Sequence, residues 1–420
     1  MAQTATYSSM RQFAGIALEA TPGTPLAMTN TLLPQKITWE DKPKWLDDKG
    51  MRGWMTSIYG RQQGPIVNEF SLDGPVFGDT LPFILANLFG DCVPTGTTGS
   101  PTTTLSASTT AGATSITTAV SITAGTTILI DTGNLAEVRK TGTPSGAGPY
   151  TIPLAAGAAP LAYPHASAVA VIGVVAPFTH AFSLLNSGAT GAYQQGQPPT
   201  HTVTHYSGVT PTVGARVFAG SCCSDLELTF NAETELLMMT SKWTSWPSAA
   251  AGALPVSAPS AVLPIASWRG VIGLGGPATG GTLVKAVPSG KISFKRKLEP
   301  DFTVSGVQTP YIIQRGELDI SGELEVIAAD ESGLNYMLQN TQPQFQFLLD
   351  NGQAGAADVK VQVDCQQAAF AAATMDVSKA NIRYKLTFDA LANVTNAGGS
   401  GGGSPGKVTI TNALGSNTYL

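Results

Sequence analysis

The sequence predicts a mainly β chain in which one β unit with a flanking helix occurs twice, and in which a small β domain interrupts the first copy. Three observations carry this expectation. Short alternating apolar and polar runs bounded by Gly, Pro, Asn and Thr recur along the 420 residues, whereas helical periodicity is rare. The 46 Gly and 28 Pro stay below the roughly 25–30% share at which a low-complexity, disordered chain is expected. The same series of elements then appears in the same order in both halves, which marks a duplication.

The first copy opens with the strand Lys36-Ile37-Thr38-Trp39, echoed in the second by Lys291-Ile292-Ser293-Phe294. Each is followed by a loop, a Tyr-containing strand (Tyr59, Tyr311) and a strand ending in a glycine turn, with Phe70-Ser71-Leu72-Asp73-Gly74 matched to Leu318-Asp319-Ile320-Ser321-Gly322. A helix comes next in both. Asp79 to Phe89 carries Asp79 or Thr80 as cap and Pro82 in its first turn, and Asp330 to Asn340 is capped by Asp330 or Ser332. After the second helix the strand Gln344 to Asp350 comes at once, but its counterpart Phe178 to Asn186 is delayed by an inserted stretch.

That stretch, Pro101 to Ile172, is rich in Thr, Ala and Gly and reads as short strands at Ser115–Thr118, Thr126–Asp131, Ala136–Thr141, Tyr150–Pro153 and Ala168–Ile172. A disordered Thr/Ala loop is the competing reading. An insertion at this point implies an exposed connection that does not serve the core. The expected organisation is a first copy over 1–100 and 173–246, the insert over 101–172, a linker over 247–264, a second copy over 265–395, and a Gly/Ser tether with a C-terminal arm over 396–420. The arm's strand, Lys407 to Thr411, suits pairing with the sheet edge of another subunit. Its removal is therefore expected to leave a soluble subunit that polymerises poorly.

Composition excludes several functions. The net charge is −5 and only 12% of residues are charged, so no basic stripe grips phosphates and sequence-reading nucleic-acid binding is disfavoured. The longest apolar run, Ala166 to Phe178, is too short for a membrane span of ~20 residues, and Met1 to Ala20 has no basic leader or apolar core of a secretory signal. Cys92, Cys222, Cys223 and Cys365 are too few for a disulfide scaffold and read as reduced and buried.

No catalytic, cofactor-binding or metal constellation emerges. His201-x-x-x-His205 would hold a metal on a helix, but its β-branched interior predicts a strand, where that spacing separates the rings by about 13 Å. Gly273-Leu274-Gly275-Gly276 is followed by Pro277 and Gly280-Gly281 by no P-loop lysine, so both read as turns. Ser221-Cys222-Cys223-Ser224 has no general base nearby.

One-signed strand faces are the distinctive chemistry. In Glu317 to Val326 the strand period sends Glu317, Asp319, Glu323 and Glu325 to one side, and the first copy supplies Glu69 and Asp73. This predicts a wet, strongly negative face. Asp225-Leu226-Glu227-Leu228 repeats the device, while Lys291 to Lys295 and Ile382 to Leu386 put basic residues on the polar side, where they could neutralise a neighbouring acidic strand.

The stretch Gly15-Ile16-Ala17-Leu18-Glu19-Ala20-Thr21-Pro22-Gly23-Thr24-Pro25, followed by Glu40-Asp41-Lys42-Pro43-Lys44-Trp45-Leu46-Asp47-Asp48-Lys49-Gly50-Met51-Arg52-Gly53, resembles the start of tail tube (major tail) proteins of bacteriophages with long non-contractile tails, of the siphovirus type infecting actinobacteria. The likeness is specific over about residues 12 to 90 and looser over the second half. It implies tail-tube-like β-sandwich or barrel units whose inner sheets close into rings, and rings that stack into the virion's tail tube, assembled in the host cytoplasm. It implies an acidic lumen through which double-stranded DNA passes without sequence-specific binding, with Glu317, Asp319, Glu323, Glu325, Glu69 and Asp73 as candidate lumen residues. It places Trp45, Arg52, Trp54 and Tyr59, on the Lys42 to Gly64 loop, at contacts between rings, where aromatic residues are favoured. Its partners would be further copies of itself, a tape measure protein and tail terminator or tip proteins, with no membrane, no cofactor and no enzymatic activity. Two tandem copies per chain favour a trimeric ring of pseudo-sixfold symmetry over a hexamer. The competing class is an extracellular β-rich adhesin or carbohydrate-binding surface protein, which would need a secretion signal and exposed aromatic platforms.

Overall fold

The computed structural model describes residues 12–131, 137–156, 158, 160–161, 163–186, 197–206, 215–252, 259–260, 262–414 and 419. Residues 1–11 of the expected first copy, Ala136 of an expected strand, 253–258 and 261 of the expected linker, and 415–418 and 420 of the arm lie outside these. The chain is mainly β, with several antiparallel sheets.

The first copy begins with β1 (Phe13–Leu18), β2 (Asn30–Leu32), β3 (Lys36–Asp48) and β4 (Gly60–Pro75), then α1 (Leu81–Phe89) and β5 (Gly90–Thr104). The insert contributes β6 (Ser115–Thr118), β7 (Thr127–Ile130), β8 (Glu137–Lys140) and β9 (Tyr150–Pro153). The first copy resumes with β10 (Ala170–Leu184), β11 (His201–Tyr206), β12 (Arg216–Asn231), β13 (Met238–Ser245) and β14 (Ala249–Ala250). The second copy holds β15 (Gly270–Leu274), β16 (Leu283–Val284), β17 (Ser289–Asp301), β18 (Ile312–Ile327), α2 (Ser332–Leu338), β19 (Phe345–Asp350), β20 (Lys360–Cys365), β21 (Ala368–Asp376) and β22 (Arg383–Ala390), and the chain closes with β23 (Lys407–Asn412).

The repeat read from sequence is visible as matched geometry. β3 and β17 each have 13 residues, and β4 and β18 each have 16 and begin one residue after Tyr59 and Tyr311. The expected Tyr-containing strand and the strand ending in a glycine turn are in fact one strand in each copy. Sheet register also shifts the expected alignment by two residues. Lys36 lies opposite Asp73 and Lys291 opposite Glu323, so Asp73 corresponds to Glu323, and Gly74 to Leu324 rather than Gly322. A two-residue slip keeps every side chain on its face, which is why alternation alone could not detect it.

Pairing joins the copies instead of closing each on itself. The large sheet contains the antiparallel run β3-β4-β13-β12-β17-β18-β22-β21, in which the first four strands belong to one copy and the last four to the other. Equivalent rows cross it: Lys36, Asp73, Thr240 and Glu227 in the first half, Lys291, Glu323, Thr387 and Ala372 in the second. The second sheet runs β16-β15-β19-β20-β23-β10, and β10 also pairs with β5 and β7. One continuous apolar core lies between the layers and includes residues of both copies, from Phe70 and Phe218 to Phe347 and Phe388.

The C-terminal segment corrects an expectation. β23 pairs with β10 on one side and β20 on the other, so it sits inside the chain's own sheet and bridges the two copies. The Gly/Ser stretch leading to it is folded against the body: Asn396 and Ser404 are buried, and the Asn186 amide donates to the carbonyls of Gly401 and Gly403. A strand whose Val408 and Ile410 are fully buried is an internal element, and a tether to another subunit is not what these residues form.

The insert has a core of its own, built from Leu105, Ile116, Ile128, Ile130, Ile152 and Val171 among others. It has no abrupt boundary, because β5 and β10 run through the expected limits at 100/101 and 172/173 as a paired ribbon with register shifts near Ile172 and Val175.

Candidate assembly surfaces

The polar face of the eight-strand run gathers the predicted acidic residues. Register places Glu69 and Asp73 of β4 and Glu317, Asp319, Glu323 and Glu325 of β18 on the same side as the row through Thr240, Glu227 and Ser293. That face is not one-signed, however. Lys291 lies 3.8 Å from Glu227 and 3.9 Å from Glu323, Lys385 2.7 Å from Glu323, and Lys379 and Arg383 each 2.9 Å from Glu325. Lys42 pairs with Glu69. The Lys379 ammonium bonded to Glu325 holds that carboxyl below its usual range, aided by Ser289 and Arg383. Acidic and basic strands therefore alternate, and the strongly negative wall expected from single strands becomes a salt-bridged surface once neighbours are in place.

The hairpin between β3 and β4 presents the predicted aromatic cluster. Trp54 and Tyr59 have ring centres 5.9 Å apart, the Tyr59 hydroxyl donates to the Trp54 carbonyl at 3.1 Å, and Arg52 stands 5.1 Å over the Tyr59 ring while pairing with Asp48. Trp45 is nearer the base, with Arg61 5.8 Å from its ring centre. The tip is apolar as well as exposed: Met51, Trp54 and Met55 are all largely solvated. The matching hairpin between β17 and β18 folds sideways onto the first copy, where Gln308 Nε2 donates to the carbonyls of Gln63 and Gly64 and the Ile66 N–H donates to the Gln308 carbonyl.

The two helices differ in what covers them. α1 begins after Thr80 with Pro82 in its first turn and ends at Gly90, whose left-handed φ of 82° lets its N–H return to the Ala86 carbonyl. All nine of its residues are buried. Its one polar side chain, Asn87, donates to the carbonyls of Pro199 and Ser221 and accepts from the Cys223 N–H at 2.7 Å. Strands of the second copy cover its C-terminal end. Phe294 meets Phe89 at 5.9 Å, Arg296 donates to the Leu88 carbonyl, and Arg315 reaches the carbonyls of Asn87 and Pro199 at 3.4 and 2.9 Å. Burial drives the Arg296 pKa down to about 10, reinforced by neighbouring Arg315. In α2 no residue is buried, and Leu338 at its end is 66% exposed.

Sequence reasoning missed these arginines and the role of Glu19. The Glu19 carboxylate accepts from the Gly23 and Gly220 N–H groups at 2.8 Å and from the hydroxyls of Thr200 and Thr202 at 2.7 Å, tying together β1, β11 and β12. Gly23, at φ +77°, lies under the Trp246 indole, where any Cβ would collide. The stretch that carried the family resemblance is thus a structural latch. A lone acid in a run of otherwise apolar residues was the available signal, since such a residue is drawn into the core only with its own hydrogen-bond partners.

The residues weighed for chemistry are accounted for structurally. His201 is buried with Nδ1 3.0 Å from the Asn87 amide nitrogen, and His205 reaches Gln12 at 3.2 Å. Burial lowers the His201 pKa to about 3, helped by Arg315. All four cysteines are free and buried, and desolvation raises the pKa of each. Among the described residues no group of His, Cys, Asp and Glu is arranged to hold a metal ion.

A sequence comparison with curated proteins finds no match. A family model described as "Phage tail tube protein" matches residues 11–413, which spans both copies, the insert and β23. Nearly the whole of this two-copy sheet is covered by that one match, and the chain belongs to the phage tail tube protein family.

Proposed function

We propose that the chain polymerises through the two ends of its eight-strand run into closed rings, and that the rings stack into the tail tube that conducts the DNA genome. The observation that carries this reading is the pair of open edges: among the described residues β3 pairs only with β4 and β21 only with β22. Long unpaired edges invite pairing with other chains, and closing a sheet into a cylinder removes them. Family membership supports self-assembly into a tube.

In this reading each chain supplies two copies, so three chains give a ring of pseudo-sixfold symmetry, favoured over a hexamer. The polar face lines the bore, with Glu69, Asp73, Glu317, Asp319, Glu323 and Glu325 among its residues. Lys42, Lys291, Lys379, Arg383 and Lys385 on it are engaged by carboxylates, which makes them poor phosphate ligands and weakens the counterion release that creates tight binding to DNA. Trp45, Arg52, Trp54 and Tyr59 meet the adjacent ring, with Met51 and Met55 at the hairpin tip. Tape measure and terminator or tip proteins would bound the tube's length, and the assembled protein resides in the virion.

Electron microscopy of the concentrated protein tests this, with class averages viewed down any tube axis. Stacked rings with three peripheral knobs, one insert per chain, are expected. Six knobs would replace the trimer by a hexamer, and a chain that stays monomeric at every concentration would overturn the reading.

A further inference from the structure

We infer that the seam between the two copies inside one chain is repeated between chains, with β21 of one pairing with β3 of the next in a fixed register: Ala372 opposite Thr38, Ala369 opposite Glu40 and Thr374 opposite Lys36. This rests on the ring reading above and specifies its lateral contact. Within the chain, β12 meets β17 with Glu227 opposite Ser293, Asp225 opposite Lys295 and Thr229 opposite Lys291. Across the two halves, β12 corresponds to β21 and β17 to β3, because each holds the same position in the strand order. The matched rows identify Glu227 with Ala372, Asp225 with Ala369 and Thr229 with Thr374, while the Lys-Ile-Thr-Trp echo identifies Thr38 with Ser293, Glu40 with Lys295 and Lys36 with Lys291.

The state of the helices supports the same assignment. α1 packs on β5, β10 and β12 of its own copy, and Phe294 and Arg296 of the copy beyond the seam close over its C-terminal end. α2 has no such cover, and beside it Leu338, Met375 and Val377 are 66, 56 and 65% exposed. The residues that correspond to Phe294 and Arg296 are Trp39 and Asp41, on the free edge at the other end of the run. Trp39 of a second copy therefore lies over the end of α2, as Phe294 lies over α1.

The two seams differ in polarity. Arg296 must be desolvated to bond the Leu88 carbonyl, which suits a contact made once during folding. Asp41 is engaged at home, accepting from the Ser248 N–H at 2.9 Å and hydroxyl at 2.6 Å and from Asn68 at 2.9 Å, and β21 offers Ala369 and Ala372 where β12 has Asp225 and Glu227. The seam between chains consequently sets small residues of β21 against Lys36, Thr38 and Glu40 of β3 and buries no new guanidinium.

Directly opposed residues of antiparallel strands lie about 4.5–5.5 Å apart, within the ~4.4–6.8 Å range for a disulfide. The test is mild oxidation of assembled protein carrying both Thr38→Cys and Ala372→Cys. Closed covalent trimers on a non-reducing gel are expected, with each single variant remaining monomeric. Cross-linking by Thr38→Cys with Thr374→Cys in its place overturns the register. Rings seen by microscopy that cross-link in neither variant overturn the seam and leave the tube reading standing, whereas absence of rings from the unmodified chain defeats both. A second variant, Leu338→Asp, alters only an exposed position and should give a folded subunit that no longer assembles. Normal rings from it would also overturn the inference.

Discussion

α1 and α2 occupy the same place in the two copies and have opposite surroundings. α1 is covered on every side, with its last carbonyls bonded to Arg296 and Arg315 from across the seam. α2 is half-covered, with Leu338 facing solvent. Sequence accounts for part of this, since α1 is apolar at every position but Asn87 whereas α2 carries Ser332, Gly333 and Asn335, yet Leu338 is as apolar as Leu88. The rest of the difference lies in the neighbours: α1 packs on β5, β10 and β12 and has a second copy beside its end, whereas α2 packs on β21 and β22 beside an open edge. An isolated duplicated chain thus contains one completed example of a contact and one uncompleted example, and the completed one shows what the other lacks.

The largest effect expected from disturbing this arrangement is at β23, which holds both copies together in the second sheet. Deleting 396–420 removes a central strand with two fully buried aliphatic residues, and a loss of more than about 5 kcal/mol is expected, enough to abolish cooperative folding. Circular dichroism and gel filtration would check it, and a folded, soluble truncated subunit would show that the copies hold together through the large sheet alone.

Next come the equivalent aromatics of the two seams. Phe294→Ala should cost the subunit about 3–5 kcal/mol in urea denaturation, whereas Trp39→Ala, at a half-buried edge, should cost less than about 1.5 kcal/mol and chiefly impair assembly. Equal costs would end the distinction between a filled and an open seam.

Acid stability should also divide along the chain, because all four histidines precede residue 206 and none is in the second copy. Burial lowers the pKa of His180 to about 4 and of His201 to about 3. Both are neutral when folded, whereas the unfolded chain gains protons below about pH 6.5, so their stabilising contribution is complete above that pH. It is lost as pH falls from 6.5 toward 4 and then 3, on the order of 3 kcal/mol or more for each. Urea midpoints measured across that window should decline less in a His201→Asn variant, and an unchanged slope would contradict the assignment.

Two smaller effects complete the contrast. Glu19→Gln replaces an acceptor of four hydrogen bonds by a group that must also donate, and should cost about 1–3 kcal/mol by thermal or urea denaturation. Leu338→Ser should leave subunit stability within about 0.5 kcal/mol and lower only the extent of assembly, measured by light scattering. A large loss of subunit stability would mean that α2 is already covered within its own chain.

Much of the fold was legible. The Lys-Ile-Thr-Trp and Lys-Ile-Ser-Phe echo, the two helices and the insert strands at Ser115–Thr118 and Tyr150–Pro153 stem from apolar periodicity and turn residues, which act over a few neighbours, although the expected cap Thr80 makes no side-chain bond to α1 and the N-cap of α2 is Glu331. The candidate site was less so. Glu317, Asp319, Glu323 and Glu325 were found as a one-sided strand, but Lys291, Lys385 and Arg383 meet two of them only because β17 and β22 flank β18. Arg296 and Arg315 read as ordinary charged strand residues, and nothing local announces that both end beneath a helix more than 200 positions away.

By itself the sequence determined the β character, the duplication and the family resemblance, because strand period, turn chemistry and repeated motifs are properties of adjacent residues. Only the tertiary structure decided that the two copies share their sheets, that β23 is an internal strand, that Glu69, Glu323 and Glu325 of the acidic face are paired with basic neighbours, and that one seam is filled while its equivalent is open. Those outcomes depend on which strand lies beside which, and strand pairing is a long-range choice that a period of two leaves undetermined.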